Sequence, residues 1–458
     1  MCELSTANIV VRHSGKAWRL TPYQILSLGF AALIFLGTLL LMLPAATEAA
    51  ESGGLSFVDA LFTATSAVCV TGLSVVDVGR ELSLFGQVVV IALVQIGAFG
   101  FMTLTTLLAV FMRRRVQLKD RLVIQEELNQ ITFSGIVQLL LYILRATLFI
   151  EFIGGTLLAL RFWPQFGPTG IYFGYWHAVS AFCNAGFDVF SAAESTMYAY
   201  ASDWLVNAVM TALVVLGGLG FYVLVDLRRG ERFKRYSLQT KVVLTTTAAL
   251  SAVGMLGMFL LEYQNPQTMG PLTFSGKLCA SFFQGVASRT AGLSTVPTGD
   301  LTDASLFFLC ILMFIGASPG STGGGIKTTT FAVIVAAIWG LIRGHNDTTL
   351  FYRRISPPAV YKAFAILFTS AVLTVTITML LSITENFSFI QILFEVVSAF
   401  STAGMSTGIT GELTNHGKLC LIPTMFIGRV GPVTFALALA LKHKKRVIQY
   451  PEGKITIG

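Results

Sequence analysis

Long apolar runs, rather than an alternation of apolar and polar positions, dominate this chain of 458 residues. Residues 23–43 carry no charge, and residues 84–112 form a longer run. Further runs cover 242–261 and 363–384, with others near 135–160, 204–225, 304–342 and 419–441. A helix that crosses a bilayer needs roughly 20 such residues. The pattern therefore predicts an all-α polytopic membrane protein with eight transmembrane helices. The first run follows Lys16 and Arg19 and precedes Ala45 and Ala46, in the manner of a signal sequence. It is longer than a signal core and opens a chain that stays apolar, so it is expected to remain as a span.

Between these runs lie four apolar segments too short to cross. They are FVDALFTATSAVCVTGL (57–73), YWHAVSAFCNAGF (175–187), SFFQGVASRTAGL (281–293) and LFEVVSAFSTAGM (393–405). Aligned on their last glycine, they place Gly72, Gly186, Gly292 and Gly404 in one column, at intervals of 114, 106 and 112 residues. Five positions earlier all four have alanine (Ala67, Ala181, Ala287, Ala399), and ten positions earlier an aromatic residue (Phe62, Trp176, Phe282, Phe394). Internal repetition at a near-constant period is the signature of a repeated architecture. The chain divides into a segment 1–22, repeat 1 at 23–112 (loop 56–76), a connection 113–133, repeat 2 at 134–226 (loop 172–190) and a connection 227–241. Repeat 3 follows at 242–342 (loop 275–296), then a connection 343–359, repeat 4 at 360–441 (loop 388–408) and a tail 442–458.

Charge adds orientation. Of the 31 Lys and Arg, 23 fall before the first run, between repeats or in the tail. Arg80, Arg161, Lys277, Arg289 and Lys418 fall on the opposite side, while Arg145, Lys327 and Arg429 lie within apolar stretches. The positive-inside rule makes the basic connections cytoplasmic and places both termini inside. Acidic residues, among them Asp59, Asp77, Glu81, Asp188, Asp203 and Asp300, concentrate outside, where they would attract cations. The net charge of +8 and the 54% hydrophobic content reflect this topology, so nucleic-acid binding is not expected. Basic stretches such as RRRVQLKDR (113–121) and RRGERFKR (228–235) suit membrane lipid headgroups or a regulatory partner.

Irregular backbone at membrane depth must be sheltered by protein or line an aqueous cavity. The four short segments are therefore expected to converge on one axis, each a short helix with an extended return through its glycine. Glycine lets successive carbonyls point the same way, and four such turns form rings of oxygens that replace an ion's hydration shell. The expected ion-binding residues are Val70, Thr71 and Gly72; Asn184, Ala185 and Gly186; Thr290, Ala291 and Gly292; and Thr402, Ala403 and Gly404. Close helix packing is the competing reading of small residues in apolar segments.

This plan resembles the Trk/Ktr/HKT superfamily of potassium transporters, and within it the Ktr-type membrane subunit, from about residue 20 to the end. The resemblance implies K+ as the transported ion, uptake across the plasma membrane, and a homodimer with one pore per subunit. It also implies a cytoplasmic KtrA-type RCK ring that carries the nucleotide, with no organic cofactor in this chain. In the superfamily a glycine at the first filter position goes with K+ preference, and Gly72 stands there.

The third repeat expands its second run into IGASPGSTGGGIK (315–327). Pro319 is expected to break that span, and the loop Gly316, Ala317, Ser318, Pro319, Gly320, Ser321, Thr322, Gly323, Gly324 and Gly325 to act as a gate, as the resemblance also implies. It is not a P-loop, because Ile326 separates Gly325 from Lys327 and no strand precedes it. Lys327 and Arg429 are ionisable groups at membrane depth and so functional candidates. Arg429 is expected near the ion path, and Arg145 and Glu151 in contacts between helices. Gly97 and Gly217 are expected to mark kinks or close packing.

Five scattered His and six Cys without a CxxC pair point to neither an enzyme nor a metal site. A secondary carrier coupled to Na+ or H+ is the alternative. Four parallel repeats, rather than inverted ones, favour the pore.

Overall fold

A computed structural model describes residues 9–11, 18–20, 22–48, 54–100, 136–193, 195–345 and 347–439. The connection 113–133, residues 101–112 of repeat 1, Glu51, Glu194 and the tail 442–458 lie outside the described residues, as does most of the segment 1–22.

Each repeat opens with a long helix: α1 (Pro22–Leu41), α4 (Ile136–Phe166), α8 (Leu238–Glu262) and α12 (Pro357–Thr384). A short helix follows: α2 (Phe57–Cys69), α5 (Thr169–Cys183), α9 (Phe274–Ala287) and α13 (Phe389–Ser401). Ser56, Thr273 and Ser388 start three of the short helices by accepting the backbone N–H three residues on. Such a side-chain cap replaces a hydrogen bond that the first turn cannot make within the helix.

The second spans of repeats 2, 3 and 4 are each divided into two helices. Repeat 1 continues with α3 (Leu84–Phe99), repeat 2 with α6 (Trp204–Leu219) and α7 (Phe221–Leu227), and repeat 3 with α10 (Asp303–Phe314) and α11 (Thr328–Ile342). Repeat 4 continues with α14 (Asn415–Val430) and α15 (Pro432–Leu439). Pro319 was expected to make the third span the exception, yet the second spans of repeats 2 and 4 also divide, while that of repeat 1 is described only as far as Gly100. Gly100, Gly220 and Gly431 share one conformation, with φ/ψ of 82/147°, 91/142° and 93/135°. That left-handed region is open chiefly to glycine. The α6–α7 bend is 102°. By length and composition four of the described helices can cross a membrane, five if α6 and α7 count as one span.

The helices are inside-out by the standards of a water-soluble protein. On α12, Ser370, Thr374 and Thr378 are buried while Phe368, Val375, Met379 and Ile383 face outward. A bilayer, which solvates apolar surface and not hydroxyls, accounts for this inversion. Packing is cyclic. Each short helix lies against its own repeat's helices and against the second span of the repeat before: α5 on α3, α9 on α6, α13 on α10. The last second span, α14, packs on the first short helix, α2. The Lys418 ammonium pins that closing contact, 2.7 Å from an Asp59 carboxylate oxygen.

Candidate functional site

The four short helices end at one place, and their last turns unwind alike. Val70, Asn184, Thr290 and Thr402, each two residues before the column glycine, have φ of 57°, 58°, 77° and 49°. Gly72, Gly186, Gly292 and Gly404 follow with φ of 95°, 76°, 71° and 82°. Alternation of left-handed residues with ordinary ones is rare for side chains other than glycine and is costly to hold. Its recurrence in all four repeats marks a shape imposed by the surroundings.

The glycines stand face to face in a closed ring. A Cβ on Gly72 would lie 2.3 Å from the Ala185 carbonyl oxygen, and one on Gly186 2.9 Å from Gly292 Cα. On Gly292 it would meet the Ala403 oxygen at 2.8 Å, and on Gly404 the Thr71 oxygen at 2.1 Å. A side chain at any of the four glycines would force the facing backbone to shift. The structure therefore brings together all twelve residues read from the repeats. The hydroxyls of Thr71 and Thr290 are buried there without a hydrogen-bond partner among the described residues.

A buried polar group from each short helix holds the chain that leaves the ring, a feature sequence spacing did not reveal. Ser66 Oγ accepts from Gly72 N at 3.0 Å, and Ser180 Oγ donates to the Phe187 carbonyl at 2.8 Å. Gln284 Oε1 accepts from Ser294 Oγ at 3.0 Å. Glu395, fully buried, accepts from Thr407 N at 3.1 Å, Thr410 Oγ1 at 3.0 Å and the Ser406 hydroxyl. In repeat 2, His177 Nε2 also contacts Asp188 at 2.9 Å, and the same carboxylate accepts from Phe190 N at 2.7 Å. Beyond the glycines opens a cavity of about 560 Å³ whose lining includes Gly186, Gly292, Asp77, Asp188 and Asp300. Other acids expected to attract ions are engaged elsewhere: Asp59 with Lys418 and Asp203 with Arg161.

On the other side of the ring sits the loop between α10 and α11. Its base is closed by pairing of Ile315 with Ile326 and by Thr328 N donating to the Ala317 oxygen at 3.2 Å. It leans on repeat 2, where Ser318 N donates to Gly218 O (3.1 Å) and Gly320 O accepts from Phe221 N (2.9 Å). Lys327 Nζ donates to the Gly323 oxygen at 2.7 Å. Arg429 donates from one nitrogen to the Thr322 oxygen, and from the other to the Gly97 oxygen (2.5 Å) and the Ala98 oxygen (3.4 Å). A smaller cavity of about 220 Å³ lies against the loop, lined among others by Pro319, Ser321, Lys327, Lys362 and Arg429.

Gly97 and Gly217 are close-packing points. A Cβ on either would lie 2.0 Å from the Val68 oxygen or 1.9 Å from the Phe182 oxygen, and Gly428 repeats the contact with Phe400 at 1.9 Å. In repeats 2 and 4 the breaks sit three residues further on, at Gly220 and Gly431. Glu151 makes the expected contact between helices, accepting from Gln95 Nε2 at 3.1 Å. Arg145 does not: it is exposed, with no hydrogen bond or ion pair among the described residues.

Repeat 3 departs from two further expectations. Arg289 is buried in the turn rather than placed in an outer loop, and Phe283, not Phe282, is the buried aromatic residue. Helix α9 ends at Ala287, five residues before its glycine, where the others end three before theirs.

Comparison with known proteins agrees with this geometry. The TrkH family of cation transport proteins matches residues 11–449. The chain is 43% identical to the Ktr system potassium uptake protein B of Bacillus subtilis, over 96% of this chain and 97% of that one. It is 39% identical to the protein of the same name from Vibrio alginolyticus, over 95% and 94%. It is 38% identical to the potassium/sodium uptake protein NtpJ of Enterococcus hirae, over 96% and 98%. The crystal structure of the potassium transporter TrkH from Vibrio parahaemolyticus superposes with a TM-score of 0.71 at 18% identity, covering 94% of this chain and 87% of that one. A match along nearly the whole chain, together with a shared fold, places this membrane protein in the TrkH family of cation transport proteins.

Proposed function

We propose that the chain is the ion-translocating membrane subunit of a potassium uptake system in the plasma membrane. Eight spans and four re-entrant loops surround one pseudo-fourfold pore, with both termini cytoplasmic. K+ passes the ring made by residues 70–72, 184–186, 290–292 and 402–404. The closed circuit of four glycines carries this reading, because it leaves backbone oxygens, and no side chain, at the narrowest point. The unpartnered hydroxyls of Thr71 and Thr290 support it, as oxygens available to a desolvating cation. The loop 316–325 is the gate below the filter, and Arg429 and Lys327 steady it. The names of the relatives support K+ as cargo, and the word "system" in two of them supports a partner, proposed here as a KtrA-type nucleotide-binding ring beneath a homodimer.

Ion-replacement flux tests this. Vesicles holding the purified chain should pass K+ and Rb+ in preference to Na+ and Li+, and Gly72→Ser should erase the preference. Shortening the loop within Gly316–Gly325 should raise flux without changing the ratio. Flux indifferent to residue 72, or absent even with the loop shortened, would mean that the glycine column serves packing alone.

A further inference from the structure

Three consecutive loop residues reach three consecutive turns, each at the same position. Gly324 N donates to Thr402 Oγ1 at 3.0 Å, with both groups buried. A Cβ on Gly323 would lie 2.2 Å from Thr290 Oγ1. The Thr322 hydroxyl donates to the Phe182 oxygen at 3.3 Å and lies equally far from the Asn184 amide oxygen, once that amide is turned so that its nitrogen donates to Val214 O and Ala181 O. Asn184, Thr290 and Thr402 all stand two residues before the column glycine. Of these contacts, only the one at Thr402 is a hydrogen bond from the loop's own backbone.

Repeat 1 shows that the hydroxyl is not there for the turn itself. Val70 occupies the same position with φ 57° and ψ 50°, against 49° and 47° at Thr402, and its side chain carries no polar atom. The left-handed turn therefore forms with a β-branched side chain whether or not it bears an oxygen. What the oxygen adds at 402 is a partner for the Gly324 N–H, a donor that would otherwise be buried unpaired.

We infer that Thr402 is the latch of the gate: its hydroxyl, at the inner end of the filter, holds the loop 316–325 closed, with Asn184 a second hold through Thr322. The inference rests on the pore reading above and deepens it. Filter and gate become one mechanical unit, because the loop cannot withdraw without releasing a side chain of the filter. Thr402 acts as a positioning residue.

The test pairs two readouts on the full chain in vesicles without a partner. One is Rb+ flux. The other is the rate at which Ser321→Cys, facing the cavity beside the loop, reacts with a membrane-impermeant thiol reagent. Thr402→Val copies repeat 1, Thr402→Ala removes the hydroxyl without a β-branch, and Thr402→Ser retains it. Removing one net hydrogen bond should raise flux and labelling about 2- to 12-fold in Val and Ala, and Ser, which keeps the bond, should leave the labelling rate at the parent's. Parental flux and labelling in both Val and Ala, while a shortened loop still raises flux, overturn the latch and leave the pore reading standing. Where a variant loses flux through damage to the turn, labelling decides: a raised rate supports the latch and an unchanged one overturns it. Absence of flux from the shortened-loop chain overturns the pore reading instead.

Discussion

Arg429 donates to the Gly97 carbonyl at 2.5 Å, so a side chain of the last repeat caps the last turn of a helix in the first. The carbonyls of a helix's final turn lack partners within the helix and carry partial negative charge. A guanidinium meets both needs, and its fork leaves a second nitrogen for the Thr322 oxygen of the loop. The guanidinium thus ties loop 316–325 to the scaffold.

Arg429→Gln should therefore loosen the loop. Hydrogen bonds from a charged donor contribute about 1.5–3 kcal/mol, so partner-free flux should rise by roughly tenfold or more and the thermal midpoint should fall. Arg429→Lys should restore less than half of the lost stability, since an ammonium cannot reach both carbonyls in one plane. Unchanged flux and melting in the Gln variant would show that the fork does not hold the loop.

The contacts at Gly97, Gly217 and Gly428 predict a graded stability series. A methyl at any of them meets a backbone oxygen at 1.9–2.0 Å, and the backbone has to move. Each Gly→Ala change should cost at least about 2 kcal/mol, in the range of overpacked cores. Gly411→Ala is the control: its nearest neighbour, the Val75 oxygen, is 3.9 Å away, and its effect should stay within about 0.5 kcal/mol. Equal melting temperatures across the series would argue against tight helix contact at these points.

The outer cavity predicts a salt-dependent effect. Asp188 lines it and is held by His177 and the Phe190 N–H. Asp188→Asn should lower flux at limiting K+ about 2- to 3-fold at low ionic strength, and the difference should shrink near 0.15 M salt, where the screening length is about 8 Å. A deficit independent of salt would instead point to a distorted turn.

Much of this arrangement is readable along the chain. The glycine column and the alanines five before it are backbone constraints, and a constraint that recurs four times shows as a repeat. Ala67, Ala181, Ala287 and Ala399 are all buried. The burial of Phe283 in place of Phe282 was not readable, because the column on which the repeats align does not show where each helix ends or which of two adjacent rings faces inward. The breaks at Gly220 and Gly431, and the matching angles at Gly100, were hidden among 43 glycines, which carry no mark of their backbone angle. The grip of Glu395 on residues 406–410 and the meeting of Gly324 with Thr402 join distant parts of the chain. Only the fold creates them.

The ring also bears on how the protein is made. Gly404 packs on Thr71, and α14 on α2, so the last repeat supplies the wall that the first one lacks. During synthesis the N-terminal parts insert first. Until the fourth repeat arrives, three turns face an open side and enclose nothing. The ring closes only when the fourth repeat has been made, and by then loop 316–325, made some 80 residues before Gly404, is already present beside it. If the ring is the pore proposed above, assembly in this order gives a nascent chain no stage at which it holds an open conduit.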